Sequence, residues 1–353
     1  MIRELPRGPF DSYLRAHYFN DKPSVLPRFS MGCGAIFMIQ RVRSLDTSLS
    51  AQDAIVETDP GLLEEMIALV VAQGLEVVSL AEMRRRLIER ELGKRFVSFT
   101  FDGAYRSVAD KVLPLFEARA LPFTVYAAAD YLDGPGVPWW ISLEALFRDC
   151  DRVSLEIEGT PLDVRCRSPI EKQNAYSSLF ARLKTFEPET RAALLEAALK
   201  AHGIDRDALA RREMLSAEDL RSLGENSLVT IGVLGSGLKA LATLSFDDAR
   251  QELEQWLQRL ETALGRRPSH LSLPAHGKLM TTRRDVEIAA TLGLDTAVTA
   301  IEGALWPEHA RELLALPRIA LDNDPATLVR ALMLSGAGQA TASGTPVLRK
   351  AAG

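Results

Sequence analysis

Few side chains in this sequence are placed to do chemistry, and Asp102 is placed best. It ends the apolar run Phe96-Val-Ser-Phe-Thr-Phe101 and is followed by Gly103-Ala-Tyr105. A short apolar run of this kind reads as a buried strand. A carboxylate at the carboxyl end of such a strand, on a glycine-containing turn, stands where α/β folds build their sites. The second titratable group of interest is His276, in the loop that follows His270-Leu-Ser-Leu273. His17, His202 and His309 are scattered, with no spacing that suits metal ligands. Cys33, Cys150 and Cys166 are odd in number and widely spaced, so they form neither a disulfide framework nor a CxxC metal site. They read as buried structural thiols in a reducing compartment.

The elements that must position these groups alternate in type. Gly34–Ile39 reads as a strand, Pro60–Ala72 as a helix with Leu62, Leu63, Met66, Ile67, Val70 and Val71 on one side, and Gly74 as its stop. Leu75–Ser79 reads as a strand, Leu80–Glu91 as a helix, Val108–Arg119 as a helix after the Asp102 strand, and Leu121–Ala127 as the next strand. At about Asp133 the pattern changes. Val153–Ile157 and Leu162–Cys166 alternate apolar and polar residues around Glu158-Gly-Thr-Pro161, which predicts a hairpin. Residues 169–223 are mostly helical, with a capping-box pattern at Ser216–Asp219. The βα rhythm then resumes: strands at Leu228–Gly232, His270–Leu273, Thr296–Val298 and Leu316–Leu321, with helices at Ser245–Leu264, Thr281–Leu292 and about Pro325–Leu334. Strands alternating with helices argue for parallel βα units. The expected organisation is an irregular arm over 1–30, one α/β unit over 31–335 carrying a helical insertion at about 141–225, and a disordered Gly/Ala/Ser/Thr-rich tail over 336–353.

Bulk properties narrow the function classes. Of 353 residues, 42 are Lys or Arg and 47 are Asp or Glu, a net charge of −5, and no dense basic stretch points to nucleic acid. No apolar run approaches the ~18 residues of a membrane span. The opening residues lack the apolar core of a secretory signal. The expectation is a soluble, cytoplasmic protein.

Several segments, in order along residues 32–335, resemble the NodB-homology polysaccharide deacetylases, particularly the rhizobial chitooligosaccharide deacetylase type. Thr100-Phe-Asp-Gly-Ala-Tyr105 is similar to that family's Thr-Phe-Asp-Asp-Gly-Tyr motif. Gly34–Val42 is similar to its first strand, which usually ends His-Arg-Val. Pro138-Trp-Trp140 resembles the Pro-Trp-Trp that opens its insertion. Leu228–Gly232 leads into the stretch normally reading His-Thr-x-x-His, His270–Lys278 occupies the Tyr-Pro-x-Gly loop, and Asp295–Thr299 precedes the Thr-Arg-Pro-Gly loop. The resemblance implies a deformed, incomplete (β/α) barrel and hydrolysis of carbon–nitrogen bonds, other than peptide bonds, in N-acetylated carbohydrate.

Amide hydrolysis needs an activated water, a base, oxyanion stabilisation and an acid for the leaving amine. The family meets these needs with a divalent metal such as zinc, held by one Asp and two His, and with a base Asp and an acid His. A bound metal lowers the pKa of its water from ~15.7 to about 7, so losing it removes the nucleophile and the electrophile together. Carried over by position, the base is Asp102, but the metal Asp is Gly103, the two metal His are Leu234 and Leu238, the acid His is Gln40 and the loop Arg is Ile301. Leucine has no lone pair to offer a metal. No metal cofactor is therefore expected. Asp102 reads more readily as a turn pin held by backbone amides than as a base, and Tyr105 as a wall residue. Trp139 and Trp140 suit either stacking on a sugar or anchoring the insertion. His276 offers a base paired to Asp102 or one replacement ligand, against the commoner surface histidine.

Three functional readings follow. The preferred one is a catalytically inactive homologue that binds N-acetylated oligo- or polysaccharide. The second is an active deacetylase with a site rebuilt around Asp102 and His276. The third is a structural or regulatory protein whose groove is filled by Leu234, Leu238 and Ile301.

Overall fold

The computed structural model describes residues 32–44, 49, 57–132, 136–157, 159–235, 244–273 and 282–324, together with 327, 331–332, 338–340 and 346–348. The expected arm (1–30), most of the tail and of the last helix, and the positions of Leu238 and His276 lie outside the described residues.

The fold is built on parallel strands, each too short to bury itself alone. The strands are β1 (Gly34–Ile39), β5 (Phe96–Asp102), β6 (Phe123–Ala127), β9 (Val229–Leu234), β10 (His270–Ser272), β11 (Thr296–Glu302) and β12 (Leu316–Ala320). They pair in the order β1-β12-β11-β10-β9-β6-β5, and β5 returns to β1 over six register pairs from Gly34↔Phe96 to Ile39↔Phe101. The ring is thus closed with seven strands, one fewer than a complete (β/α)8 barrel. The expected barrel is present, and it is incomplete in this sense. A two-residue strand, β4 (Glu76–Val77), pairs with Phe96 and Val97 of β5, while β6 pairs with Thr100–Asp102 further along. Two short parallel pieces, β2 (Arg41–Val42) and β3 (Glu57–Thr58), pair beside the barrel. The short strands Gly338–Ala340 and Pro346–Leu348 form a separate antiparallel ribbon.

Helices cover the outside of the ring, and their apolar stripes follow from sequence. Helix α1 (Pro60–Ala72) starts at Asp59, whose side chain accepts from the amides of Gly61 and Leu62, and Pro60 opens the helix where no amide donor is needed. Helix α2 (Leu80–Glu89) is capped by Ser79. The expected single helix over 108–119 divides into a wide π turn at Val108–Val112 and the short helix α3 (Leu113–Glu117). Pro114 explains the change: it has no N–H to donate, and its ring pushes away the carbonyl one turn back. In the long helix after β9 (Phe246–Leu264), Ala249, Leu253, Trp256, Leu257 and Leu260 are buried at helical spacing, and Gly265 stops it with φ of +73°.

Between β6 and β9 the chain leaves the barrel and builds a second apolar core. Helix α4 (Trp139–Asp149) leads to the antiparallel hairpin β7 (Arg152–Ile157) and β8 (Thr160–Arg165), then to α5 (Pro169–Leu183), α6 (Pro188–Ala201), α7 (Arg206–Glu213) and α8 (Ala217–Glu225). Leu143, Leu146 and Phe147 of α4 pack with Val153 of the hairpin and with Leu179, Phe180 and Leu183 of α5. Tyr105, from the turn after β5, belongs to this core. The capping box at Ser216–Asp219 forms as its residues predict. Helix α9, as the Phe246–Leu264 helix is called below, and α10 (Arg283–Thr291) complete the outer layer.

Strand parity decides what lies inside the ring. In β5, Val97, Phe99 and Phe101 face the helices, where Phe99, Phe101, Phe116 and Phe123 stack edge-to-face. The alternate residues Phe96, Ser98, Thr100 and Asp102 therefore face inward. With Thr124, His270, Ser272, Thr296 and Arg318, this gives the ring a polar interior, buried almost completely.

Candidate functional site

Asp102 sits on the inward face at the carboxyl end of β5, as its position in sequence predicts. Its partners were not predicted. Arg318, on β12, sends its side chain across the interior, and its Nη1 and Nη2 donate to Oδ1 and Oδ2 of Asp102 at 2.7 and 2.8 Å. Ser272, at the end of β10, donates to Oδ2 at 3.2 Å, and Arg318 Nη2 donates to the Ser272 hydroxyl at 3.0 Å. Arg318 Nε donates to the carbonyl of Thr299 at 2.9 Å. The guanidinium is 3% exposed and makes a planar fork matched to the carboxylate. A carboxylate has about four acceptor positions, and three are taken here. The expected pinning of Asp102 by backbone amides is replaced by a guanidinium and a hydroxyl. The reason is topological: closure of the ring points the inward side chains of β5, β10 and β12 into one interior, where the long Arg318 side chain reaches from mid-strand to Asp102.

Tyr126 is paired in register with Asp102 and lies inside the ring, fully buried. The Arg318 guanidinium is 5.8 Å from its ring centre. Its hydroxyl is buried with no partner among the described residues, and burial raises its pKa well above that of an ordinary phenol. Gly232 makes this possible, because a Cβ there would approach the Tyr126 ring to 2.7 Å.

Gly103 has φ of +108°, a backbone conformation that suits glycine. Its amide donates to the carbonyl of Tyr126 at 2.9 Å. A Cβ at this position would lie 2.4 Å from Cε2 of Tyr105. Tyr105 is itself 3% exposed, forms an antiparallel bridge with Met214, and lies 5.7 Å below the Arg41 guanidinium; burial raises its phenol to about 12. It is a wall between barrel and insertion. The turn after Asp102 is therefore shaped around a glycine and a packed tyrosine.

The remaining sequence-predicted residues do not converge on Asp102. Leu234 ends β9, half-buried against a small interior cluster with Tyr126, Val298 and Leu316. Gln40 is half-buried in the link between β1 and β2. Ile301 is 43% exposed on β11, so it fills no interior groove; that expectation is corrected, because the residue falls in the register shift between the Val298↔Leu316 and Glu302↔Arg318 pairs. Trp139 packs on Phe180 with ring centres 4.7 Å apart, the Arg191 guanidinium is 4.7 Å from its ring, and Trp140 meets it edge-on at 5.9 Å. Both are half-buried in the insertion core. His276 and Leu238 lie outside the described residues. Cys33 follows the expectation for a structural thiol: burial raises it to about 11.

The described residues around Asp102 do not fit a divalent metal. Among the described residues no three His, Cys, Asp or Glu side chains gather as a ligand set. Gly103 and Leu234 offer no donor atoms. The one carboxylate is already matched to a guanidinium, whose positive charge would oppose a dication brought beside it.

Sequence reasoning missed Arg318. It stands in Leu316-Pro-Arg-Ile-Ala320, and a lone arginine inside an apolar strand was the available signal, since arginine is seldom buried unpaired.

The architecture now described has counterparts among solved structures. A Streptococcus pyogenes deacetylase, PplD in complex with acetate, superposes with a TM-score of 0.53 at 15% identity, over 84% of this chain and 96% of that one. IcaB from Ammonifex degensii gives 0.53 at 14% identity, over 86% and 96%. The putative polysaccharide deacetylase BA0330 from Bacillus anthracis gives 0.51 at 10% identity, over 84% and 68%. This chain has the NodB-type polysaccharide deacetylase fold. No protein-family model matches the chain, and no curated protein matches it. At such identities the likeness concerns the NodB-type fold; the chemistry has to be argued from the residues. Within that fold, the strands that carry Asp102, Ser272 and Arg318 form a buried ion-pair network.

Proposed function

We propose that this chain is a deacetylase-like protein that binds N-acetylated oligo- or polysaccharide without hydrolysing it. The observation that carries the loss of catalysis is Gly103. Its positive φ and the Tyr105 ring 2.4 Å from a would-be Cβ leave no place for a metal-binding side chain next to Asp102. The absence of donor atoms at Gly103 and Leu234 points the same way. Without a metal, neither the water nor the acyl oxygen is activated, and Asp102, engaged by Arg318 and Ser272, has no nucleophile to deprotonate. The sugar part of the reading rests on the deacetylase fold and on Trp139 and Trp140, which are half-buried at the start of the insertion.

The test joins binding to turnover. The N-acetylglucosamine tetramer is titrated into the protein by calorimetry, and acetate release is followed with and without added zinc. Saturable binding with no acetate above the blank is the expected result. Acetate release overturns the inactive reading, and absence of binding overturns the sugar reading. Gly103→Asp is expected to gain no zinc and to lose about 1–3 kcal/mol of stability from backbone strain and the clash with Tyr105. Stoichiometric zinc in that variant, at undiminished stability, would show that the turn still accommodates a ligand.

A further inference from the structure

Independently of the sugar reading, a second site is built where the barrel meets the insertion. A cavity of about 460 Å³ opens between the exit of β1 (Arg41–Ser44), the turn and π helix after β5 (Tyr105–Lys111), and the ends of α4 and α7 (Arg148, Arg212 and Glu213). Six cationic side chains line it: Arg41, Arg43, Arg106, Lys111, Arg148 and Arg212. The acids in its wall are Asp110 and Glu213. This is an unusual concentration of positive charge in a chain whose net charge is −5.

Part of that charge is structural. Arg41 donates to Glu57, Glu144 and Glu213 at 3.0, 2.7 and 2.5 Å; Arg43 pairs with Glu144; Arg106 donates to Asp219 at 2.7 Å; and Arg212 donates to Glu213 at 3.1 Å. These carboxylates hold the guanidinium groups in place. Glu57, Glu144 and Asp219 do so from outside the cavity wall. Two donors in the wall are left over. Arg148 donates through Nε and Nη1 to Asp149 and Glu144, but among the described residues its Nη2 and the hydroxyl of Ser107 are buried without a partner. A buried donor left unsatisfied costs about 1–3 kcal/mol, so both would gain from an acceptor that the described residues do not supply. Lys111 stands exposed on the same wall. Fixed arginine forks, a hydroxyl and an ammonium around a cavity of small-molecule size are the groups that recognise a multiply charged oxyanion.

We propose that this cavity binds a phosphate-bearing small molecule, its phosphoryl oxygens accepting from Arg148, Ser107 and Lys111, with the remaining volume taken by the organic part. Asp102, Ser272 and Arg318 are not in its wall, so the site is separate from the interior of the ring.

The experiment is calorimetric titration of the full chain with inorganic pyrophosphate at constant ionic strength, beside citrate as a carboxylate of comparable charge. Pyrophosphate is expected to bind saturably and more tightly than citrate. Lys111→Glu, a change at an exposed position, is expected to weaken binding by about tenfold or more. Ser107→Ala is expected to weaken it severalfold while unfolding no earlier than the wild type, because the variant loses an unsatisfied hydroxyl rather than a contact. The proposal is overturned if pyrophosphate gives no saturable binding, if both variants bind it as the wild type does, or if citrate binds more tightly.

Discussion

At the scale of residues, the decisive feature is the exchange of partners at Asp102. A buried carboxylate needs compensation, and here it comes from a guanidinium 2.7 and 2.8 Å away and a serine hydroxyl. Breaking such a pair leaves one charge buried without its partner, whereas removing both charges together relieves both. Arg318→Met is therefore expected to cost about 3–5 kcal/mol in urea unfolding, and the double variant Asp102→Leu with Arg318→Met markedly less. If the two single effects simply add, the pair is not the unit that holds this end of the ring. Asp102 was legible as an acid at the end of a strand because it follows the largely apolar run Phe96–Phe101 and precedes a glycine. Arg318 and Ser272 were not legible, since their nearness to Asp102 depends on strands 170 and 216 residues away in sequence.

At the scale of elements, α4 ties the insertion to the barrel. Glu144 is 2% exposed and receives Arg41 and Arg43 from the exit of β1 and Arg148 from its own helix. Tyr105 and Met214 bridge the same boundary, and the amide of Leu215 donates to the carbonyl of Ala104 at 2.8 Å. Glu144→Ala is expected to cost about 3 kcal/mol and to speed hydrogen exchange in α4 to α7 before the barrel strands respond. Equal acceleration in β5 and β6 would show that insertion and barrel open as one unit. The hairpin and most helices of this region were legible from alternation and caps. Their docking was not, because it rests on charges from separate segments meeting under one helix.

At the scale of the whole molecule, the polar interior of the ring makes stability depend on pH. His270, 6% exposed inside the ring, has its Nδ1 2.8 Å from the hydroxyl of Thr296, and burial lowers its proton affinity below the ordinary value of 6.5. The folded state thus favours the neutral ring and binds fewer protons than the unfolded chain. Its contribution is fully present above pH 6.5 and is lost as pH falls through the lower folded value. Unfolding free energy is expected to decline from pH 7 to pH 5, and His270→Gln is expected to flatten that decline. A variant as steep as the wild type would assign the dependence to other groups. Closure of the ring through β1 and β5 has a similar global character: six register pairs join segments some 60 residues apart.

By itself, the sequence determined the strand–helix alternation, the insertion hairpin and the place of Asp102 at a strand end; it did not tell that the Leu75–Ser79 strand stays outside the closed ring. What it determined follows from local pattern: periodicity, caps, turn residues and the chemistry of single side chains. Only the tertiary structure decided that Gly103 is locked by a positive φ and a tyrosine ring, that Ile301 stands outside the interior, that Asp102 answers to Arg318 and Ser272, and that a cavity lined by arginines opens beside the insertion. Those outcomes depend on strand parity and on which strands a closed ring sets facing one another. A closed ring brings together residues whose separation along the chain carries no sign of their contact.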